Sequence, residues 1–143
     1  FGGAIKMLGI GFASRQGKME VHAKDYSDSK KTIDWRNTPL YYGAGFNERM
    51  ADYALAAVNK KKYIYLNFTL SIVENCDCDS EEMTPIYEDL GIFASTDPVA
   101  IDKACFEMLE KREGKKPFGG DDVFNYAEKI GLGSQSYKLI EIK

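Results

Sequence analysis

The chain has 143 residues, the length of one typical domain, and its 19 basic and 22 acidic residues give a formal net charge of −3. This mild acidity argues against a nucleic-acid or anionic-membrane partner, and a composition of 44% hydrophobic and 29% charged residues excludes disorder across the whole chain. No apolar run approaches the ~20 residues that cross a bilayer, so we expect no membrane span.

The cysteines and the first residue bear on the cellular setting. Cys76, Cys78 and Cys105 are too few, and odd in number, for the disulfide framework of a secreted protein, so we expect a reducing, cytoplasmic setting. The sequence begins with Phe1 and shows neither the basic stretch nor the apolar run of a secretory leader. We therefore expect a fragment of a longer protein, with a single domain over residues 1–143.

Residues 1–20 are rich in glycine, which predicts a loop with one short helical turn around residues 4–8. Gly9 and Gly11 resemble half of a dinucleotide-binding fingerprint, but the third glycine of that pattern is absent. Two interpretations stay open. Backbone amides near Gly9 and Gly11 could hold an anionic group together with Lys6 and Arg15, or the glycines serve close packing while the cations are solvated.

After a polar stretch at residues 23–31, the predicted elements alternate between helices and strands. They are a helix from Asn47 to about Lys60, a strand Tyr63–Ile72, a short buried strand Leu90–Ala94, a helix that begins at Asp97 and Pro98, a helix from Asp121 or Asp122 to Ile130, and a final strand Tyr137–Ile142. This order predicts the α/β class, with helices packed on a layered sheet.

The acidic stretch 74–85 is long for a loop in a compact domain, and it contains Cys76 and Cys78. In an extended segment these cysteines lie roughly 6.6 Å apart, so a disulfide between them needs a tight turn and is strained. A turn could also bring both sulfurs to one metal ion, for which His22, Asp77, Asp79 or Asp97 could supply a further ligand. The predicted set is Cys76 and Cys78, with His22 and Asp97 as the further ligands. Structural thiols and a thiol-based redox switch are the alternatives.

Both further ligands also have a structural interpretation. His22 is the one histidine of the chain, and a single histidine is often a hydrogen-bonded part of the fold. Asp97 follows a predicted strand, at the sheet edge where ligands bind in α/β proteins. Together with Pro98 it also has the pattern of a helix cap, so the sequence leaves both roles open.

Blocks in the same order along nearly the whole chain resemble the domain of unknown function 362 family. They are Phe1 to Gly11, Ser14 to Lys18, His22, Ile33-Asp34-Trp35, Tyr65 to Phe68, Cys76-Asp77-Cys78, Asp89 to Asp102 and Tyr126 to Glu141. The resemblance implies an iron–sulfur protein relative, since many members carry a ferredoxin-like insert whose cysteines bind two clusters. The insert lies between the histidine and the Ile-Asp-Trp block, where this chain has an exposed connection, residues 23–32, with no cysteine. We expect no iron–sulfur cluster in this chain.

Two functions remain open at this stage. The first is a metal-binding or redox-associated core, in which Cys76, Cys78, His22 and Asp97 hold a metal ion or another cofactor. The resemblance favours such a site, because the histidine and the cysteine pair belong to the matched blocks. The second is a non-enzymatic binding or scaffold domain, since the chain is rich in aromatic residues, which are enriched at interfaces. The expected partners are a redox partner or another domain of the same protein. The sequence names no catalytic residue, substrate, metal or oligomeric state.

Overall fold

A computed structural model describes residues 2–23, 45–58, 61–76 and 82–142 of the chain. These residues form five α-helices, one π-helix and two strands, so the predicted α/β class is confirmed. In chain order the elements are α1 (Ala4–Lys6), the π-helix (Met7–Gly11), α2 (Arg15–Val21), α3 (Phe46–Val58), β1 (Tyr65–Thr69), β2 (Gly91–Ser95), α4 (Pro98–Glu113) and α5 (Asp122–Lys129).

The sheet pairs β1 with β2 in antiparallel register, from Tyr65 opposite Ser95 to Thr69 opposite Gly91. Both strands occur where they were predicted, although β1 is shorter than the predicted span. The prediction that β2 is buried is wrong, because alternate residues point away from the helices and Ile92 is 61% exposed.

The helical turn predicted around residues 4–8 is confirmed by α1 and the start of the π-helix, but the loop predicted for the rest of residues 1–20 is wrong, because the π-helix and α2 occupy most of this region. The glycines serve close packing between helices here. A Cβ atom at Gly9 would lie 2.2 Å from the carbonyl oxygen of Met50, so only glycine lets the π-helix approach α3 this closely. Ser14 then begins α2, since its hydroxyl accepts a hydrogen bond from the Gly17 N–H at 3.1 Å.

Helix α3 matches the predicted apolar spacing, with Met50 and Ala54 buried on its inner face. The predicted cap at Asn47 is wrong, because the helix already begins at Phe46. The amide of Asn47 instead donates to Asp122 Oδ1 at 2.9 Å, which ties the start of α3 to the start of α5.

The two carboxyl-terminal helices begin close to the predicted positions, and α5 also ends close to its predicted end at Ile130. Asp97 caps α4, and Gly114, with φ of +66°, ends it in the left-handed conformation that glycine adopts readily. Asp121 precedes α5, but its side chain makes no capping hydrogen bond. The predicted final strand is wrong, since residues 137–142 have no ladder partner among the described residues, and the Tyr137 hydroxyl donates to Glu107 instead.

The hydrophobic core lies between the helices rather than over the sheet. Its aromatic centre is Phe106 of α4 against Phe124 of α5, with ring centroids 5.9 Å apart and nearly perpendicular planes. Further buried core residues are Ile5, Leu8, Val21, Met50, Ala51, Ala54, Val99, Val123, Ala127 and Leu132. The packing fixes α1, the π-helix and α4 relative to one another, and these elements carry the candidate site.

Some predictions fall on other parts of the chain. Cys78, most of the connection at residues 23–32 and the Ile-Asp-Trp block lie outside the described residues. None of the helices in the described ranges is long and apolar enough to cross a membrane.

Candidate functional site

A cavity of about 960 Å³ opens beside β1, between the π-helix and α4. Polar groups from separate elements line it, which distinguishes it from a purely apolar gap. Among the described residues, the titratable ones along its wall include Lys6, His22, Cys76, Asp102 and Cys105. The structure therefore brings two of the four predicted metal ligands, His22 and Cys76, to one cavity.

A contact between Lys6 and Cys76 places a cation beside a thiol at this wall. Lys6 Nζ lies 3.1 Å from Cys76 Sγ, although the two residues are 70 positions apart in the chain. Lys6 ends α1, and Cys76 lies in the segment that follows β1. A positive charge at this distance favours the thiolate, the form of cysteine that attacks oxidants and binds soft metals.

Asp102 holds the helix that carries Lys6. Its carboxylate oxygens accept hydrogen bonds from the Ala4 N–H at 2.7 Å and the Ile5 N–H at 2.8 Å, which are unsatisfied donors at the start of α1. The Asn67 amide of β1 donates to the same carboxylate at 2.7 Å. Burial raises the pKa of Asp102 to about 6, while the hydrogen bonds from Ile5, Asn67 and Ala4 oppose that shift.

The sequence offered a signal for Asp102 that the prediction missed. Val99, Asp102 and Phe106 follow one another at three- and four-residue spacing, and all three are buried in α4. A carboxylate within an apolar helical stripe must find donors, and here the donors come from α1 and β1. Gly3 permits this approach, because a Cβ atom there would lie 2.4 Å from Asp102 Oδ1.

Cys105 differs from Cys76 in its surroundings. Its sulfur contacts the Thr69 hydroxyl at 3.4 Å and the Asn67 amide at 3.7 Å. Burial raises the pKa of the Cys105 thiol, and the hydrogen bonds from Thr69 and Asn67 only partly oppose the shift. Cys105 is therefore a protonated thiol at neutral pH, with low intrinsic reactivity.

His22 is 3% exposed and lies at the carboxyl end of α2. Its Nδ1 is 2.7 Å from the Lys18 carbonyl oxygen, so Nδ1 carries the proton, and the ring packs 5.0 Å from that of Phe46. Burial lowers the pKa of His22, so the ring is neutral near pH 7. This is the structural arrangement that the sequence left open, and it also keeps the imidazole in the form that ligates metals.

Asp97 acts as a helix cap. Its Oδ1 accepts the Val99 and Ala100 N–H groups at 2.8 and 2.9 Å, and its Oδ2 accepts the Ser134 N–H at 2.8 Å. Both carboxylate oxygens therefore bind backbone amides, and Asp97 is not among the described residues along the cavity. Its role as a metal ligand stays a prediction without support from this geometry.

The predicted anion-binding residues separate into two groups. Lys6 and Gly11 line the cavity, whereas Gly9 is buried against α3 and Arg15 is exposed at the start of α2. The structure therefore does not gather all four around one position. Their joint role stays a prediction, and Lys6 is the member that the cavity and the thiol contact single out.

The metal prediction can be compared with the described donors. Among residues 2–23, 45–58, 61–76 and 82–142, no three His, Cys, Asp or Glu side chains come together in a way that could hold a metal ion. Cys78, the proposed second sulfur ligand, is outside these ranges. The ammonium of Lys6 beside the Cys76 sulfur opposes a cation at that position by charge repulsion.

Comparisons with known proteins give a family and no function. No curated protein and no solved structure matches the chain. A family model described as a domain of unknown function matches residues 1–107, which include α1 through most of α4 and all the cavity residues discussed above. Since the match covers three quarters of the 143 residues, the chain belongs to the domain of unknown function family DUF362.

Proposed function

We propose that the cavity is the working site of this domain and that it supports thiol-based redox chemistry at Cys76. The observation that carries the proposal is the 3.1 Å contact between Lys6 Nζ and Cys76 Sγ at the cavity wall. The ammonium favours the thiolate, and the cavity gives small oxidants or a redox partner's reactive group a path to it. The proposed chemistry is two-electron oxidation of the Cys76 sulfur to the sulfenic acid, which thiol reductants reverse.

The same observation ranks redox chemistry above metal binding. A soft metal ion would use the Cys76 sulfur, yet the Lys6 ammonium already lies against that sulfur and repels a cation. A metal site at Cys76 and Cys78 therefore requires Lys6 to move away. Metal binding is the second candidate within this site, and the experiment below separates the two.

The proposal is tested by the rate at which each cysteine reacts with iodoacetamide. In a Cys78→Ser protein, Cys76 and Cys105 are the remaining cysteines, and mass spectrometry of peptides follows both in one sample. We expect Cys76 to react at least about tenfold faster than Cys105 at pH 7, because thiolate fraction sets the rate. The buried Cys105 thiol serves as the internal reference.

Two lysine variants provide the matched comparison. Lys6→Met removes the ammonium and should slow alkylation of Cys76 by about tenfold, since it lowers the thiolate fraction. Lys18→Met removes a positive charge elsewhere along the same cavity, with no part in the proposed chemistry, and should change the rate less than about twofold. Equal rates at Cys76 and Cys105, or equal effects of the two variants, would contradict the proposal.

Zinc ions distinguish the metal-binding candidate. In the protein with all three cysteines, one equivalent of Zn²⁺ should leave the alkylation rate of Cys76 unchanged if Lys6 holds the thiolate. Protection of Cys76 at stoichiometric zinc, with zinc retained through gel filtration, would instead support the metal site.

A docking role is a second candidate function, and one observation favours it. The outward face of the sheet presents apolar side chains, with Leu66, Phe68 and Ile92 each 57% to 62% exposed. Such patches often bind another domain or subunit. If this face docks a partner, the Leu66→Lys and Ile92→Lys changes should abolish any self-association or partner binding that sedimentation detects. A wild-type protein that stays monomeric at high concentration argues against self-association.

A further inference from the structure

The Lys6 side chain lies where it can form a covalent bond to Cys76, beyond stabilising its charge. We propose that oxidation of Cys76 by a peroxide leads to a covalent bond between Lys6 Nζ and Cys76 Sγ, a sulfenamide crosslink that tethers α1 to the segment after β1. The proposal rests on the proposed function, because it requires a reactive Cys76 thiolate. It adds a modification site and names the class of oxidant.

The first argument is distance. The separation of 3.1 Å between Nζ and Sγ falls within the roughly 3–3.5 Å at which reacting atoms of a near-attack geometry lie. The fold positions the helix that carries the amine: Asp102 accepts the Ala4 and Ile5 N–H groups and so fixes the short helix that ends at Lys6. The amine therefore approaches the sulfur without a large rearrangement.

The second argument compares the other nucleophiles. Cys78 is two residues from Cys76, and in an extended segment that spacing is at the limit of disulfide geometry. Cys105 lines the same cavity, but its sulfur contacts Thr69 and Asn67 of β1, whereas Lys6 Nζ directly contacts the Cys76 sulfur. Among the described residues the Lys6 amine is thus better placed than Cys105 to condense with an oxidised Cys76.

The chemistry balances in two steps. The Cys76 thiolate attacks one oxygen of hydrogen peroxide, the O–O bond breaks, and hydroxide leaves, takes up a proton and becomes water. Sulfur is oxidised by two electrons to the sulfenic acid, and the peroxide is reduced. The Lys6 ammonium then releases a proton to solvent, its nitrogen lone pair attacks sulfur, and the S–O bond breaks as the hydroxyl leaves as water with a second proton from nitrogen.

The product has lost two hydrogens relative to the reduced protein, one from nitrogen and one from sulfur. A thiol reductant reverses the bond, because its thiolate attacks the sulfur and returns the amine of Lys6. Each cycle therefore consumes one peroxide and one dithiol, and it leaves the protein unchanged.

The test uses a Cys78→Ser, Cys105→Ser protein, in which Cys76 is the remaining cysteine and no intramolecular disulfide can form. After one equivalent of hydrogen peroxide, the intact mass should fall by two hydrogens and return with dithiothreitol. Peptide mapping should find the peptides of Lys6 and Cys76 joined, with tryptic cleavage after Lys6 lost.

Lys6→Arg in the same background is the decisive control. It keeps a positive charge beside the sulfur, but a guanidinium is not a nucleophile at neutral pH. We expect Cys76 to be oxidised at an unchanged rate and to stop at sulfenic acid, which dimedone traps. Lys18→Arg should still form the crosslink.

The outcomes separate the inference from the proposed function. If the protein that retains Lys6 and the Lys6→Arg variant trap equal amounts of dimedone and neither loses two hydrogens, the crosslink is refuted while the reactive thiolate stands. The rate at which peroxide oxidises Cys105 is measured separately, in a Cys76→Ser, Cys78→Ser protein. If Cys76 is oxidised no faster than this, both the crosslink and the proposed redox function are contradicted. A crosslink that forms in the Lys18→Arg protein and not in the Lys6→Arg protein supports the bond between Lys6 and Cys76.

Discussion

Asp102 connects three elements through one buried carboxylate. It accepts hydrogen bonds from Ala4, Ile5 and Asn67, so α4, α1 and β1 meet at this side chain. Since Lys6 follows Ile5 in the same short helix, the position of the amine beside Cys76 depends on this anchor. Under the proposed function, Asp102 therefore acts on the Cys76 sulfur through the backbone of α1.

Asp102→Ala should lower the free energy of unfolding by about 3 kcal/mol or more, because two buried backbone donors and the half-buried Asn67 amide lose their acceptor. It should also slow alkylation of Cys76, since α1 no longer holds Lys6 in place. Urea denaturation measures the first effect. Asp89→Ala is the matched control: its carboxylate accepts the Ser71 N–H at an exposed position, and its loss should cost less than about 1 kcal/mol. Equal costs for the two variants would contradict the anchoring role.

The raised pKa of Asp102 predicts a dependence of stability on pH. The folded-state pKa of about 6 lies above the ordinary aspartate pKa of 3.8, so the folded protein binds this proton more tightly than the unfolded chain. The contribution is fully present below pH 4 and is lost as the pH rises through 6, by about 3 kcal/mol for this shift. Denaturation of the wild type and of Asp102→Asn between pH 4 and 7 checks this prediction. We expect the free energy of unfolding of the wild type, relative to that of Asp102→Asn, to fall as the pH rises from 4 to 7. A difference that does not change with pH would contradict the prediction.

At the scale of elements, α4 shows how one side chain both begins a helix and fixes a distant segment. Asp97 binds the Val99 and Ala100 N–H groups of its own helix and the Ser134 N–H beyond α5. Asp121 stands at the corresponding position of α5, but its side chain makes no capping bond and pairs instead with Lys116 at the surface. The two aspartates thus form a natural comparison.

Asp97→Ala should lower the free energy of unfolding by about 1–2 kcal/mol, the usual cost of a lost cap. Asp97→Asn should cost less, because its amide oxygen still accepts the helix N–H groups, although its amide nitrogen cannot accept the Ser134 N–H. Asp121→Ala should cost less than Asp97→Ala, because it removes only an exposed ion pair. Thermal or urea denaturation of the three variants gives the comparison. A larger loss in Asp121→Ala than in Asp97→Ala would show that the cap assignment is wrong.

Local chemistry explains which elements the sequence predicts well. The start of α4 follows from Asp97 and Pro98, and the buried face of α3 follows from its apolar spacing; both signals lie within a few residues. The final strand was predicted from the composition of residues 137–142. A strand also needs a neighbour to pair with, and that partner is a tertiary property that composition does not contain.

The candidate site was predictable only where single residues reveal their chemistry, and not where it depends on contacts between distant residues. Cys76 and His22 stand out as residue types with chemistry, and both lie along the cavity. The contact of Cys76 with Lys6 joins residues 70 positions apart, so no local pattern reports it. Asp102 was detectable as a charge within an apolar stripe, but its donors belong to other elements.

At the scale of the whole molecule, the helices and the sheet contribute unequally to stability. The core residues of α3, α4 and α5 are buried against one another, whereas β1 and β2 form a two-stranded ladder with one exposed apolar face. A two-stranded ladder is only marginally stable by itself, and here it depends on its contacts with α4. The cavity lies at the junction of the more stable and the less stable part.

Hydrogen exchange should therefore proceed in two classes within the described parts of the chain. Amides on the buried faces of α3 and α4 should exchange through global unfolding, while those of β1 and β2 should exchange through a smaller local opening. Mass spectrometry of peptides over time, at increasing urea below the transition, distinguishes the two, because only globally protected amides show the full denaturant dependence. Crosslinking of Lys6 to Cys76 ties α1 to the segment after β1, and it should raise the protection of β1 while leaving α5 unchanged. Equal protection of the sheet and the helices before crosslinking would mean that the ladder and the core unfold as one unit.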